Sequence, residues 1–120
     1  MVQGGLKKKI YQLQSEFCHA LSHPKRLEIM NILKEGEKSV SELLSITGYN
    51  KANLSQHLMI LRKVRIVEIR KQGVTVFYRI TNPKVLQACH TIQEMLSEQL
   101  MENEKMSQLM KEDLVKTGNR

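Results

Sequence analysis

A mainly α chain with one small β-hairpin, in the order α-α-α-α-β-β-α, is what this 120-residue sequence predicts. Three observations carry that expectation. Residues 39 to 63, SVSELLSITGYNKANLSQHLMILRK, read as two short helices joined by a tight turn. Residues 66 to 80, IVEIRKQGVTVFYRI, read as two β-rich runs around a turn. Amphipathic helices flank this block on both sides.

In chain order, residues 6 to 21 place Leu6, Ile10, Leu13, Phe17, Ala20 and Leu21 on one stripe of a first helix. Gly4 and Gly5 before it mark a frayed end. Ser22-His23 leads into Pro24, a favourable first helical residue, and His23 reads as a capping-region side chain. The second helix carries Leu27, Ile29, Met30, Ile32 and Leu33 and stops at Gly36, so it is expected to be the most buried. Lys25 and Arg26 oppose the helix dipole in its first turn, which is explained if they face a phosphate or a carboxylate.

Ser39 and Glu42 have the spacing of a capping box, in which each side chain bonds a free backbone N–H of the first turn. Gly48 is the natural left-handed stop, and Asn50 can cap the next helix. In that helix Leu54, Leu58 and Leu61 stack on one face, while Ala52, Asn53, Ser55, Gln56, Met59 and Lys63 lie opposite or beside them. Asn and Gln amides can bond adenine bidentately, and Ala can touch a thymine methyl. Helix, turn and capped helix with such a face form a helix-turn-helix, and the basic hairpin that follows is a wing. Lys71-Gln72-Gly73 forms its turn, and Arg70, Lys71 and Gln72 sit at its tip. The alternative for the hairpin is a solvated edge protected by its charges. His57, near the edge of the leucine stripe, is expected to pack against the preceding helix or touch a phosphate; Met59 is either a groove contact or simply exposed.

Asn82-Pro83 opens a last long helix, with Val85, Cys89, Ile92, Leu96 and Leu100 on one stripe. The stripe extends towards Met106 and Met110, weakened by the polar MENEK stretch. One domain over residues 1–113, for DNA binding and dimerisation, and a loose tail over 114–120 are therefore expected. The first and last helices are more apolar along one face than a small winged domain buries alone. Pairing of two chains would cover them, and a symmetric dimer suits a palindromic operator.

Composition narrows the class. Hydrophobic residues make 41% and charged residues 26%, the balance of a globular chain. No apolar run approaches the ~20 residues of a membrane span, and the N-terminal lysines are not followed by the apolar core of a secretion signal. Two cysteines make a disulfide scaffold unexpected and a reducing cytoplasm the expected location. The net charge of +7 concentrates on residues 37–80, which carry +5, against +3 before them and −1 after. A polyanion partner accounts for that distribution. No nucleophile triad, carboxylate pair or phosphate-binding glycine loop is visible, so no enzyme and no cofactor are expected.

With these motifs in hand, the sequence resembles the ArsR/SmtB family of winged-helix repressors. The matching stretches are ALSHPKRLEIMNIL at 20 to 33, residues 39 to 63 as quoted, and GVTVFYRI at 73 to 80, within a resemblance over roughly residues 15 to 98. The resemblance implies a homodimer that binds double-stranded operator DNA and releases it when an inducer binds. One departure is Arg65, where the family often has Gly; a left-handed Arg there would cost about 1 kcal/mol.

The resemblance also implies where a signal would be sensed. The family's Cys-x-Cys metal position matches Ser39-Val40-Ser41, without a thiol. Its second metal position matches Asn82, Lys84, Met95 and Glu98, of which only Glu98 keeps a ligand, so neither site is expected to hold zinc. The thiols of thiol-sensing members match Asn31 and Ser97. Cys18 and Cys89 remain, each followed by a histidine, His19 and His90. Either they are inert core residues, or they form a dithiol open to oxidation, persulfidation or arsenite. The small inducer itself is not legible.

Two functions follow. In the first, the chain is a sequence-specific repressor: Asn53, Ser55 and Gln56 read bases, Ala52 touches a methyl group, and Lys51, Arg62, Lys63, Arg70 and Lys71 neutralise phosphates, with Gln72 at the wing tip. In the second, it is a protein-interaction module that kept the winged fold, with the last helix as its working surface.

Overall fold

The computed structural model describes residues 2–118 and orders them as α1 (Val2–Leu21), α2 (Pro24–Leu33), β1 (Lys38–Ser39), α3 (Val40–Thr47), α4 (Lys51–Lys63), β2 (Val67–Gln72), β3 (Thr75–Ile80) and α5 (Lys84–Gly118). The seven expected elements are present, and β1 is an addition. It gives a three-stranded antiparallel sheet of order β1-β3-β2 rather than a lone hairpin. β1 pairs Lys38 with Tyr78 and Ser39 with Phe77, while β2 and β3 pair from Val67 with Ile80 to Gln72 with Thr75. Two residues show no alternation, so no sequence period could have revealed β1.

The chain divides into two compact units, one ending at Leu86 and the other beginning at Gln87. The first unit holds the winged core. Ile29, Met30 and Leu33 of α2, Leu43 of α3, and Leu54, Leu58 and Leu61 of α4 are buried together with Ala20, Ile66, Val67 and Val85. These are the stripe positions at helical spacing, so the burial that stabilises the unit follows the periodicity. Leu27, assigned to the same buried helix, is instead exposed.

Local chemistry sets the ends of the elements. The Ser39 side chain accepts from the Glu42 N–H and the Glu42 carboxylate accepts from the Ser39 N–H, the capping box in full. Ser39 is also the last residue of β1, so one residue ties the sheet to the first helix of the turn. Gly48 stops α3 at φ +69° and Asn50 caps α4, its side-chain oxygen accepting from the N–H groups of Ala52 and Asn53. At the other end of α4, the Arg65 N–H bonds the Arg62 carbonyl and the Ile66 N–H bonds the Leu61 carbonyl. This is a Schellman stop, with buried Leu61 and Ile66 as its apolar pair. It requires a left-handed residue, and Arg65 fills that position at φ +61°.

The second unit is α5 from Gln87 onward. Its described residues continue as helix to Gly118, within the stretch 114–120 expected as a loose tail, of which residues 119 and 120 lie outside the described residues. Glu, Lys, Met and Gln are good helix formers, and the polar stretch changes the face of the helix without breaking it. Ile92, Leu96, Leu100, Met106, Met110 and Leu114 are exposed along it. On α1 the expected stripe is likewise largely uncovered, with Leu6, Ile10 and Leu13 exposed and only its last turn reaching the core.

Candidate nucleic-acid interface

With Leu54, Leu58 and Leu61 inward, α4 turns Lys51, Ala52, Asn53, Ser55, Gln56, Met59, Arg62 and Lys63 to solvent. Asn50 fixes the N-terminal end of that face by holding two N–H groups of the first turn. Among the described residues, no side-chain hydrogen bond ties down Asn53, Ser55 or Gln56. Two amides and a hydroxyl on successive positions of one exposed helix face can present donors and acceptors to base edges.

The wing is a tight hairpin. Gly73 and Val74 separate the paired Gln72 and Thr75, and Gly73 takes φ +61°, which suits the first turn position of a type II′ hairpin. Lys71 and Gln72 are exposed beside the turn, as expected. Val74 is fully exposed at the very tip. Sequence reasoning did not single it out, although its position next to the turn glycine was the available signal. An apolar residue at a wing tip is chemistry that minor-groove binders use.

Arg70 does not behave as a tip cation. Its guanidinium bonds both carboxylate oxygens of Glu37, donates to the Gln72 side-chain oxygen at 3.0 Å, and lies 4.6 Å from the centre of the Phe77 ring. The hydrogen bond from Arg70 holds the Glu37 carboxyl below the usual range, and the same contact raises Arg70. Arg70, expected from sequence as a phosphate contact, is thus engaged by Glu37 within the fold, because pleating puts its side chain beside Phe77. Arg79 is similarly paired with Glu68 at 2.7 Å, and Glu42 is used in the capping box. The acidic side chains of residues 37–80 are thus occupied locally, and of the cations assigned to phosphates from sequence Lys51, Arg62, Lys63 and Lys71 are exposed.

Behind the turn, Tyr49 donates its hydroxyl to Glu28 of α2, and the Lys25 ammonium lies 5.0 Å from the centre of its ring. Burial first, then the Glu28 carboxylate, push the Tyr49 hydroxyl up to about 12, so it remains a donor at any physiological pH. Arg26 is also corrected. Instead of facing a phosphate or carboxylate it is buried, with Nε donating to the Ala20 carbonyl at 2.6 Å and Nη1 lying 3.3 Å from Nδ1 of His57. The carbonyl end of α1 therefore offsets its unfavourable place at the start of α2. His23 caps α2 by accepting from the Lys25 N–H, as its place before Pro24 suggested.

Of the two cysteines, Cys18 on α1 is exposed, Cys89 on α5 is half-buried, and neither is in a disulfide. They belong to different compact units. Among the described residues no cluster of three or more Cys, His or carboxylate groups could hold a metal, and no helix is long and apolar enough to cross a membrane.

Comparison with known proteins agrees with this geometry. Residues 23–68 match the family described as bacterial regulatory protein, arsR family. Over 89 residues the chain is 36% identical to the uncharacterised HTH-type transcriptional regulator Rv0081 of Mycobacterium tuberculosis, covering 73% of this chain and 78% of that protein. The crystal structure of the transcriptional repressor BigR from Xylella fastidiosa superposes with a TM-score of 0.65 at 35% identity, covering 79% of this chain and 96% of that one. The solution structure of the homodimeric winged helix-turn-helix DNA-binding domain Mb0332 from Mycobacterium bovis gives a TM-score of 0.72 at 29% identity, covering 78% and 87%.

Proposed function

The chain belongs to the arsR family of bacterial regulatory proteins, and from that membership we propose that it is a repressor that binds a palindromic operator as a homodimer. The observation that carries the reading is the outward face of α4: Asn53, Ser55 and Gln56 untethered, Ala52 beside them, and Lys51, Arg62 and Lys63 at the edges. Asn53, Ser55 and Gln56 read base edges. Ala52 meets a thymine methyl, and Lys51, Arg62 and Lys63 with Lys71 of the wing neutralise phosphates. Gln72 lies at the same tip.

A second copy is the partner that suits the exposed stripes of α1 and α5. The homodimeric state of the Mb0332 domain, whose fold this chain shares, supports the same assembly. Two recognition helices related by a two-fold axis meet two half-sites one helical turn apart, which favours a palindrome.

The test is a duplex selected from a random pool, then titrated against single variants at several salt concentrations. Gln56→Ala should relax the preference for the selected duplex over random DNA, with discrimination falling by about 1–3 kcal/mol. Lys71→Ala should weaken both duplexes alike and flatten the salt slope by about one. Equal loss on both duplexes from Gln56→Ala would remove its base-reading role. Salt-independent binding to a protein, with no DNA retained at low salt, would favour the interaction-module reading instead.

A second reading concerns the signal. The exposure of Cys18 favours a thiol-directed inducer acting at Cys18 and Cys89, since an accessible thiolate is what oxidants, persulfides and arsenite attack. Duplex binding would be compared for reduced protein and for protein treated with each reagent, beside Cys18→Ser and Cys89→Ser. Release from wild type but not from the variants identifies the sensor; equal behaviour of all three eliminates it.

A further inference from the structure

The cluster of Arg26, His23 and His57 joins three helices and is not part of the base-reading face. Arg26 is only 7% exposed, yet among the described residues no ion pair compensates it. What it has is the Ala20 carbonyl at the end of α1 and the Nδ1 atom of His57, one position beyond Gln56 on α4. A guanidinium only donates, so Nδ1 must accept. His57 is then neutral and carries its proton on Nε2.

The surroundings reinforce that state. The groups facing His57 are His23 at the cap of α2, with ring centres 4.6 Å apart, and Lys25 and Arg26 in its first turn; the contact from α1 is made through the Ala20 carbonyl. No carboxylate is among them. Burial first, then His23, Arg26 and Lys25, hold His57 below the ordinary histidine range.

We propose that Arg26 and His57 form a proton-gated latch that positions the recognition helix. With His57 neutral, one guanidinium ties α4 to the carbonyl end of α1. A proton on Nδ1 removes the acceptor, sets a second cation beside a buried one, and opens the tie. Arg26 and His57 act as positioning residues, since neither needs to touch DNA. The inference rests on the DNA-binding reading above.

Its sign separates it from general electrostatics. Acidification adds positive charge to a chain already at +7, which by itself tightens binding to a polyanion. The latch works in the opposite direction. A histidine whose folded pKa is depressed contributes stability that is complete above its unfolded value of about 6.5 and is lost as pH falls through the folded value. Binding should therefore weaken on acidification.

The experiment measures affinity for a duplex selected at pH 7.5, then repeats it at pH 5.5 and constant salt, with thermal melts at both. Wild type is expected to lose affinity by a factor below roughly ten while remaining folded, since a depressed His57 is only partly protonated at pH 5.5. His57→Gln keeps an acceptor for Arg26 without a proton to gain, and should hold its affinity at both pH values. His57→Lys, charged throughout, should bind weakly at both. Binding that is flat or tighter at pH 5.5, a parallel loss in His57→Gln, or an unfolded wild type at pH 5.5 each overturns the latch. An NMR titration of the free protein decides independently of DNA. The amide shifts of Leu54, Leu58 and Leu61 should follow the midpoint of the His57 ring, and the latch fails if they do not. A protein that binds no duplex at any pH, yet shows those coupled shifts, would refute the DNA-binding reading and leave the latch in place.

Discussion

Replacing Arg65 by glycine should stabilise the winged unit, because the stop of α4 demands a backbone conformation that arginine resists. Arg65 sits at φ +61° between two Schellman hydrogen bonds, and its side chain is exposed, so little packing is lost with it. Holding an L-residue in the left-handed region costs roughly 1–2 kcal/mol. Glycine returns roughly 0.5–1 kcal/mol of that through its greater freedom when unfolded. The net gain is about 0.5–1 kcal/mol, a rise of roughly 2–4 °C in Tm for a chain of this length. The assay is thermal and urea unfolding of wild type, Arg65→Gly and Arg65→Ala at one protein concentration. Arg65→Ala keeps the strain and loses only the exposed charge, so it should unfold close to wild type. A gain shared equally by Arg65→Ala would show that charge, not backbone conformation, is responsible. No gain in Arg65→Gly would mean that the stop relaxes without cost.

Two further outcomes are specific to this structure. Leu58→Ala, at a position 1% exposed beneath the recognition face, should cost roughly 2–5 kcal/mol in urea unfolding, and a loss below 1 kcal/mol would mean that α4 is not seated as described. Glu37→Gln should release Arg70 from its carboxylate clamp and let it meet a phosphate, steepening the salt dependence of DNA binding by about 0.9 in slope. The steepening should vanish when Arg70→Ala is added; an unchanged slope in Glu37→Gln would show that Arg70 stays on Phe77 and Gln72.

What could be read from the sequence is what depends on neighbours a few residues away. Ser39 with Glu42, Gly48, Asn50 and the leucines of α4 are local or periodic signals, and each lies where its spacing puts it. The stop after Lys63 was also visible, as the departure at Arg65. Arg26 and Arg70 were misread for the opposite reason. Their partners, His57 and Glu37, lie 31 and 33 residues away, and no period or composition brings such pairs together. For the same reason the count of basic residues did not show that Arg70 and Arg79 are ion-paired within the fold, with Glu37 and Glu68. The polar MENEK stretch interrupts the apolar stripe without ending the helix, because Glu, Lys and Met are helix formers wherever they point.

Ser39 closes β1 and caps α3, and β1 is hydrogen-bonded to β3, the returning strand of the hairpin. The hairpin therefore has no free hinge against the helical pair, since bending there would break a strand pairing and a helix cap together. If Gln56 reads bases as proposed, the distance from the tip at Val74 to those bases would be set by the protomer and not by the DNA. On that proposal, an operator whose flanking groove lies at another distance would have to bend to be gripped at both points, and the stiffness of its flanking base steps would enter recognition.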